Sequence, residues 1–235
     1  MGWHWEVSPN ANEKYVQPDE QLIKAPAHLS FEELAAIPAA GGTAMHAISY
    51  GPKALKPGQT VLAQGTGGVS CFVIQIAAAI GATVIATSSS DEKLKKAKEL
   101  GATHLINYRT YPNWADEVLK ITGGKGADLV VDVAGASTIE QSLKATKRGG
   151  VVTLVGFLAG EKKSDIVADV IFGGKTVYGL FMYTKQMTDE LCRLLEQKGI
   201  KPAVSKVFEW EDAKAAFELL AKGGGVGKAV VKVGA

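Results

Sequence analysis

The 235-residue sequence predicts an α/β fold built on a doubly wound parallel sheet, and three observations predict it. Between residues 59 and 155, short β-branched runs alternate with longer amphipathic stretches, the pattern of a parallel sheet covered by helices on both faces. The runs are apolar nearly throughout, as strands buried on both faces should be. A glycine-rich turn, GTGGVS, joins the first run to the first amphipathic stretch.

Taken in order, the strands are TVLAQ from Thr60, TVIAT from Thr83, HLINY from His104, DLVVDV from Asp128 and GVVTLVG from Gly150. The intervening helices cover residues 69–80, 91–100, 114–121 and 138–146. Gly81 and Gly101 stand where a helix end needs a left-handed residue, and each opens a GAT that leads straight into a strand. A sixth strand at residues 176–180 completes the sheet through right-handed crossovers. Beyond it the repeat stops: a helix over 187–198, a strand over 203–208, a helix over 211–221 and a strand over 228–233. In the second of these helices Ala213, Ala216, Phe217 and Leu220 recur at i, i+3, i+4 and i+7, an apolar face that needs a partner. Gly223–Gly225 reads as a flexible turn ahead of the last strand, with a phosphate-cradling loop as the alternative. The stretch up to about Ser30, with Pro9, Pro18 and Pro26, lacks periodicity, so both chain ends read as parts of a second domain.

Composition narrows the function classes. Hydrophobic residues make up 46% and charged residues 21%, so the chain can bury a substantial core. Lys+Arg 26 against Asp+Glu 24 leaves +2, too little for the broad basic footprint of a nucleic-acid binder. Cys71 and Cys192 lie far apart in helical segments, which suggests neither a disulfide framework nor a cysteine zinc cluster. His4, His28, His46 and His104 show no metal-ligand spacing among themselves. The N-terminus lacks a charged region followed by an apolar run, and no uncharged stretch reaches ~18 apolar residues. A cytoplasmic protein with no membrane span and no nucleic-acid partner is expected.

Gly65-Thr66-Gly67-Gly68-Val69-Ser70 has the context that a dinucleotide fingerprint requires, strand before and helix after. In such a Rossmann domain Gly65 permits the tight turn, Gly67 lets backbone approach a pyrophosphate, and the helix N-terminus offers unpaired N–H groups. Ser70 takes the third glycine's place, where a small side chain still allows helix–strand packing. A plain glycine-rich turn is the bland alternative. NAD-binding versions place Asp or Glu at the end of the second strand to bond the ribose 2′-hydroxyl. Here that strand ends Ala86-Thr87-Ser88-Ser89-Ser90. Asp91 and Glu92 come slightly later and read as helix-start residues, with Ser89 and Glu92 as a capping box. Ser88, Ser89 and Lys93 instead suit a 2′-phosphate, so NADP(H) is the expected cofactor. Lys93 as a solvated lysine and Tyr108 as a core aromatic are the competing readings.

The segments GTGGVS, ATSSSDEK, ELGATHLINYR, ITGGKGADLVVDVAG, RGGVVTLVGF and GKAVV, in this order, resemble the medium-chain dehydrogenase/reductase superfamily. The likeness is to its zinc-type alcohol dehydrogenase and quinone oxidoreductase-like branch, and it runs from about Glu13 to Val233. It implies a Rossmann NADP(H)-binding domain over 41–186. It also implies a partial GroES-like domain built from the two chain ends, 1–40 and 187–235. By the same resemblance Thr43 lies near the phosphates, Gly67, Gly68 and Val69 in the glycine turn, Lys93 and Tyr108 near the adenine ribose phosphate, and Gly156 and Phe157 near the nicotinamide ribose.

Two departures limit the transfer. Zinc-dependent members carry a cysteine ligand four residues before the threonine matched by Thr43, and Ala39 stands there. Their other metal ligands and most of the catalytic domain match nothing in this chain, so no zinc is expected and no catalytic residue can be named. The resemblance implies zinc-independent transfer of hydride from NADPH to a small carbonyl, enone or quinone. The alternative is a truncated, non-catalytic NADP(H)-binding module. Phe217 and Leu220 are expected to lack partners, which leads to a homo-oligomer or a mobile C-terminal segment.

Overall fold

The computed structural model describes residues 22–156 and 163–233, and in it each predicted strand forms. The strands β1 (Thr60–Gln64), β2 (Thr83–Ser88), β3 (His104–Asn107), β4 (Ala127–Asp132), β5 (Thr146–Leu154) and β6 (Thr176–Gly179) make one sheet in the order β3-β2-β1-β4-β5-β6. Every neighbouring pair is parallel. This order reverses between β1 and β4, the switch point at which doubly wound sheets open a crevice at their carboxyl ends.

Alternate residues of the central strands point to opposite faces, and each face has its own core. Val61, Ala63, Val84, Ala86, Leu129 and Val131 face a core that includes Phe72, Val73 and Ile76 of α3 (Gly68–Ala79). Leu62, Ile85, Ile106, Val130 and Val152 face Val118 of α5 (Trp114–Ile121) and Leu143 of α6 (Ile139–Ala145). α3 is buried from Ser70 to Ala77, which explains why its sequence is apolar all round. It ends on Gly81 at φ +83°, and α4 (Asp91–Glu99) ends on Gly101 at φ +114°, the left-handed caps that the sequence predicts.

Three helical elements had no predicted bounds, although a connecting helix was expected within residues 1–40. α1 (Phe31–Ala35) starts at a reciprocal capping box between Ser30 and Glu33. α2 (Ala40–Met45), continued by a π-helical turn over His46–Tyr50, contains two glycines and has poor intrinsic propensity. Packing requires those glycines. A Cβ on Gly41 would lie 2.6 Å from Leu191, and one on Gly42 would lie 2.3 Å from the Tyr183 ring. α7 (Val167–Gly173) buries none of its residues.

α8 (Lys185–Lys198) opens the predicted returning segment, yet it sends Met187, Leu191, Cys192 and Leu195 into the α3 core. The remaining C-terminal elements stand apart. β7 (Val204–Glu209) and β8 (Lys228–Lys232) form a separate parallel pair, joined through a 3₁₀ turn and α9 (Ala213–Ala221). α1, from the other end of the described chain, packs against both strands. Among the described residues, α1 and the β7–α9–β8 segment therefore form one subsidiary unit.

Candidate functional site

At the switch point, β1 ends in Gln64 and the chain turns through Gly65 at φ +73°, a left-handed conformation that a Cβ would strain. A Cβ on Gly65 or Gly67 would meet nothing within 4 Å, so both face open space. A Cβ on Gly68, by contrast, would lie 2.5 Å from the Lys228 stem and 3.2 Å from Ala40. Ser70 is buried, and its hydroxyl donates to the Gln64 carbonyl at 2.6 Å, fastening helix to strand. The first bond inside α3 runs from Cys71 N–H to the Gly67 carbonyl at 2.9 Å. The N–H groups of Gly68, Val69 and Ser70 therefore have no partner within the helix and form a small positive pole.

A cleft of about 730 Å³ opens in front of this turn. Ser88, Ser89, Ser90 and Lys93 border it from the β2 end, Tyr108 and Arg109 from the β3 end, and Val133 from the β4 end. Lys222, Gly223 and Gly225 close it from the C-terminal unit. A neighbouring chamber of about 460 Å³ shares Gln64, Gly65, Tyr108 and Val133 and adds Pro112 and Trp114. Tyr108 is 41% exposed between the two, so it is not a core aromatic. Gln64 is buried, its Nε2 donates to Ser142, and its Oε1 has no hydrogen-bond partner among the described residues. Gln64 lines both chambers.

The strand-end residues resolve one expectation against the sequence reading. No Ser89–Glu92 capping box forms; α4 starts at Asp91 with Ser90 at the cap position and no side-chain cap bond. Ser89 sits one residue too early. The Asp91 carboxylate is engaged elsewhere, accepting from Asn107 Nδ2 at 2.7 Å. Lys93 is half-buried and donates to the Gly223 carbonyl at 3.2 Å, so it is not the freely solvated lysine of the bland reading.

The structure thus gathers Gly65, Gly67, Gly68, Val69, Ser88, Ser89, Lys93 and Tyr108 around one cleft. Thr43 and Gly156 do not line it. Gly156 adjoins it through Val133: a Cβ there would lie 2.3 Å from the Val133 carbonyl. Thr43 is half-buried in α2, and Phe157 lies outside the described residues. Sequence reasoning missed Gln64, Arg109, Lys222 and Lys228, although the GGG turn and the GKAVV segment were visible signals for the last two.

A second polar cluster occupies the same carboxyl edge beyond β6. His46 Nδ1 donates to the Met182 carbonyl at 2.7 Å, which leaves Nε2 to accept from the Tyr178 hydroxyl at 3.0 Å. Ala39 N–H donates to Tyr183 Oη at 2.6 Å. Ala39 itself has φ +53° and ψ −64°, and Ala40 N–H reaches back to the Pro38 carbonyl at 2.5 Å, a strained γ-turn.

Buried titratable groups are accounted for structurally. Asp132 is fully buried and accepts from Ala134 N–H, Gly135 N–H, Thr138 and Ser142. Burial pushes the Cys71 thiol up to about 12, although the Gly227 backbone opposes the shift. Burial likewise raises Cys192. Neither is a ready nucleophile or thiolate ligand at neutral pH.

Residues 68–197 match the zinc-binding dehydrogenase family. The chain is 41% identical over 228 residues to a zinc-type alcohol dehydrogenase-like protein of Schizosaccharomyces pombe, covering 94% of this chain and 66% of that one. It is 32% identical to an alcohol dehydrogenase of Geobacillus stearothermophilus, covering 91% and 62%. Among solved structures, an NAD-dependent alcohol dehydrogenase superposes with TM-score 0.86 at 39% identity, covering 93% and 63%. A 2-octenoyl-CoA carboxylase reductase in complex with NADP and 2-octenoyl-CoA gives TM-score 0.80 at 26% identity, covering 90% and 52%. The chain spans about two thirds or less of each of these proteins. The family name raises the question of zinc, and the described residues do not fit it: Ala39 offers only a methyl group, and among them no group of three His, Cys, Asp or Glu could hold a metal ion. With the family match over more than half the chain, and the sheet order and glycine turn in agreement, this chain belongs to the zinc-binding dehydrogenases of the medium-chain dehydrogenase/reductase superfamily.

Proposed function

We propose that the chain binds NADP(H) in the switch-point cleft and serves zinc-independent hydride transfer to a small carbonyl, enone or quinone. One observation carries the cofactor choice: the cleft is bordered by Lys93, Arg109, Lys222 and the strand-end serines Ser88, Ser89 and Ser90, and no carboxylate borders it among the described residues. The relatives divide on this point, since one is NAD-dependent and another is in complex with NADP. The chain's own strand end supports NADP(H).

The residues present suit the cofactor. Gly65 and Gly67 leave the turn open to a pyrophosphate, and the N–H groups of Gly68, Val69 and Ser70 favour an anion. The Gln64 Oε1 acceptor can take a hydrogen bond from a bound base or ribose. Ser88, Ser89 and Lys93 supply donors to a 2′-phosphate. When bound, the nicotinamide supplies the hydride, and the protein's share is to orient it and exclude competing reactions. Gly156, beside Val133 and beyond β5, and Thr43 belong to this reading as backbone and side-chain supports at the nicotinamide and phosphate ends.

Fluorescence titration with NADPH and NADH tests the assignment. Removal of one charge-assisted contact costs about 1.5–3 kcal/mol, roughly ten- to 150-fold in affinity. Lys93→Ala is expected to weaken NADPH by an amount in that range and NADH little. Equal weakening of both, or a wild-type preference for NADH, would sink the NADP(H) assignment. NADPH oxidation with quinones and enones, run beside elemental analysis, tests the chemistry. Turnover without about one zinc per chain is the expected result, and NADPH binding without turnover would assign a cofactor-holding module instead.

A further inference from the structure

Among the described residues only two other than glycine take a positive φ, Ala39 at +53° and Met182 at +62°. Both lie in the polar cluster beyond β6, and a side chain of that cluster holds each one. Tyr183 Oη accepts from Ala39 N–H at 2.6 Å, and His46 Nδ1 donates to the Met182 carbonyl at 2.7 Å. Strained backbone persists only where its surroundings over-determine it, and it collects at active sites and ligand clamps.

β6 is three strands, about 14 Å, from the glycine turn, on the side of the switch point away from Ser88 and Ser89. A dinucleotide whose adenosine half lies at the β2 end sends its other half that way, over the carboxyl ends of the strands beyond β1. Tyr183 is half-buried there, and its ring lies against Gly42, where a Cβ would come within 2.3 Å of it. The bond from Ala39 N–H occupies a lone pair of the hydroxyl and leaves its proton free, and no acceptor among the described residues takes that proton. Ala39 stands where zinc-dependent members carry a cysteine ligand, so a position that serves a metal in them has a phenol beside it here.

We propose that Tyr183 is a catalytic residue, the Brønsted acid that protonates the oxygen of a carbonyl substrate. The assignment rests on the NADP(H) reading above. The carbonyl carbon gains the hydride given up by the nicotinamide, so a C–H bond forms there and the carbonyl π pair moves onto oxygen. The Tyr183 O–H bond breaks as its proton forms the O–H bond of the alcohol, and the phenolate left behind recovers a proton from water. The carbonyl is reduced by two electrons and the cofactor oxidised by two. Ala39 N–H, already directed at Oη, stabilises the phenolate as it develops.

Tyr183→Phe keeps the ring against Gly42 and removes only the hydroxyl, and two measurements on the full chain read its effect. Isobutyramide, an unreactive amide, offers a carbonyl oxygen to the NADPH-loaded protein. Calorimetric titration should show it bound roughly two- to tenfold more weakly by Tyr183→Phe, with NADPH affinity unchanged. NADPH oxidation with 4-nitrobenzaldehyde should lose about 10²–10⁴-fold in kcat. Tyr50→Phe removes a hydroxyl that is bonded to Gln186 outside the cluster and should change neither. Equal isobutyramide affinity in wild type and Tyr183→Phe, or no isobutyramide binding by the wild type, overturns the acid and leaves the NADP(H) reading standing. Turnover of 4-nitrobenzaldehyde that is absent from the wild type, or unchanged in Tyr183→Phe, overturns the acid as well. Loss of NADPH binding in Tyr183→Phe marks a structural role and does the same. A wild type that binds no NADPH overturns both the acid and the cofactor reading.

Discussion

The six-stranded sheet and the C-terminal β7–α9–β8 unit are made from similar local ingredients and held by very different means. β1 is buried at four of its five residues, and α3 at eight of its twelve. In the C-terminal unit, β7 buries Phe208, α9 Ala216 and β8 Val230. Phe31, Trp210, Phe217, Leu220 and Val233 are all more than half exposed there or on the α1 end. The same helix-forming pattern thus produces a core element where a six-stranded sheet covers it and a lightly attached flap where, among the described residues, the β7–β8 pair is its main cover. The glycine turn lies at the seam, with a rigid wall behind it and the flap in front.

The largest expected effect separates the two regions by substitution. Leu191→Ala empties a fully buried site in the α3 core and should cost about 2–5 kcal/mol in a denaturant titration. Phe217→Ala removes a larger side chain from an exposed site and should cost within about 0.5 kcal/mol. A comparable loss at Phe217 would mean that its face is covered in solution, which the homo-oligomer expectation provides for, and light scattering would show it.

Alkaline pH gives the next contrast. The folded Cys71 thiol titrates near 12 against an ordinary 9.0. Its raised value means that the stability it supports is present below pH 9 and is lost as pH rises from 9 towards 12. The slope is at most about 1.4 kcal/mol per pH unit. Cys71→Ala should flatten the stability profile in that window relative to the wild type. Identical slopes would mean that the thiolate is accommodated without unfolding.

Hydrogen exchange compares the regions without mutation. Amides of β1, β2 and β4 should open only near the global unfolding limit, while residues 213–232 of the unliganded protein exchange faster through local opening. Uniform slow exchange in a monomer would contradict the flap description. The smallest effect is at the surface pair Lys96–Glu99, both largely exposed at 2.9 Å, where Lys96→Ala should change stability by no more than about 0.5 kcal/mol.

What the sequence determined by itself is local and periodic. Continuous β-branched runs such as TVLAQ and LVVD cannot be satisfied except between two helix layers, so strands and their parallel pairing were legible. Gly81 and Gly101 announced their helix ends because left-handed caps are a glycine property. Gly65, Gly67 and Ser70 announced the turn, since strand–glycine–helix is a local arrangement. What only the tertiary structure decided is what distant segments do to one another. α2 is helical despite Gly41 and Gly42 because Leu191 and Tyr183 occupy the space that side chains there would need. Asp91 turns from the cleft because Asn107 of the adjacent strand captures it. The cleft gained Lys222 and Gly223 from more than a hundred residues away because Gly227, just ahead of β8, pairs with Gly67 of the glycine turn and Lys93 reaches Gly223. Periodicity records which face of an element is buried, whereas the identity of the partner that buries it, or the charge that faces it, is fixed only when the chain returns.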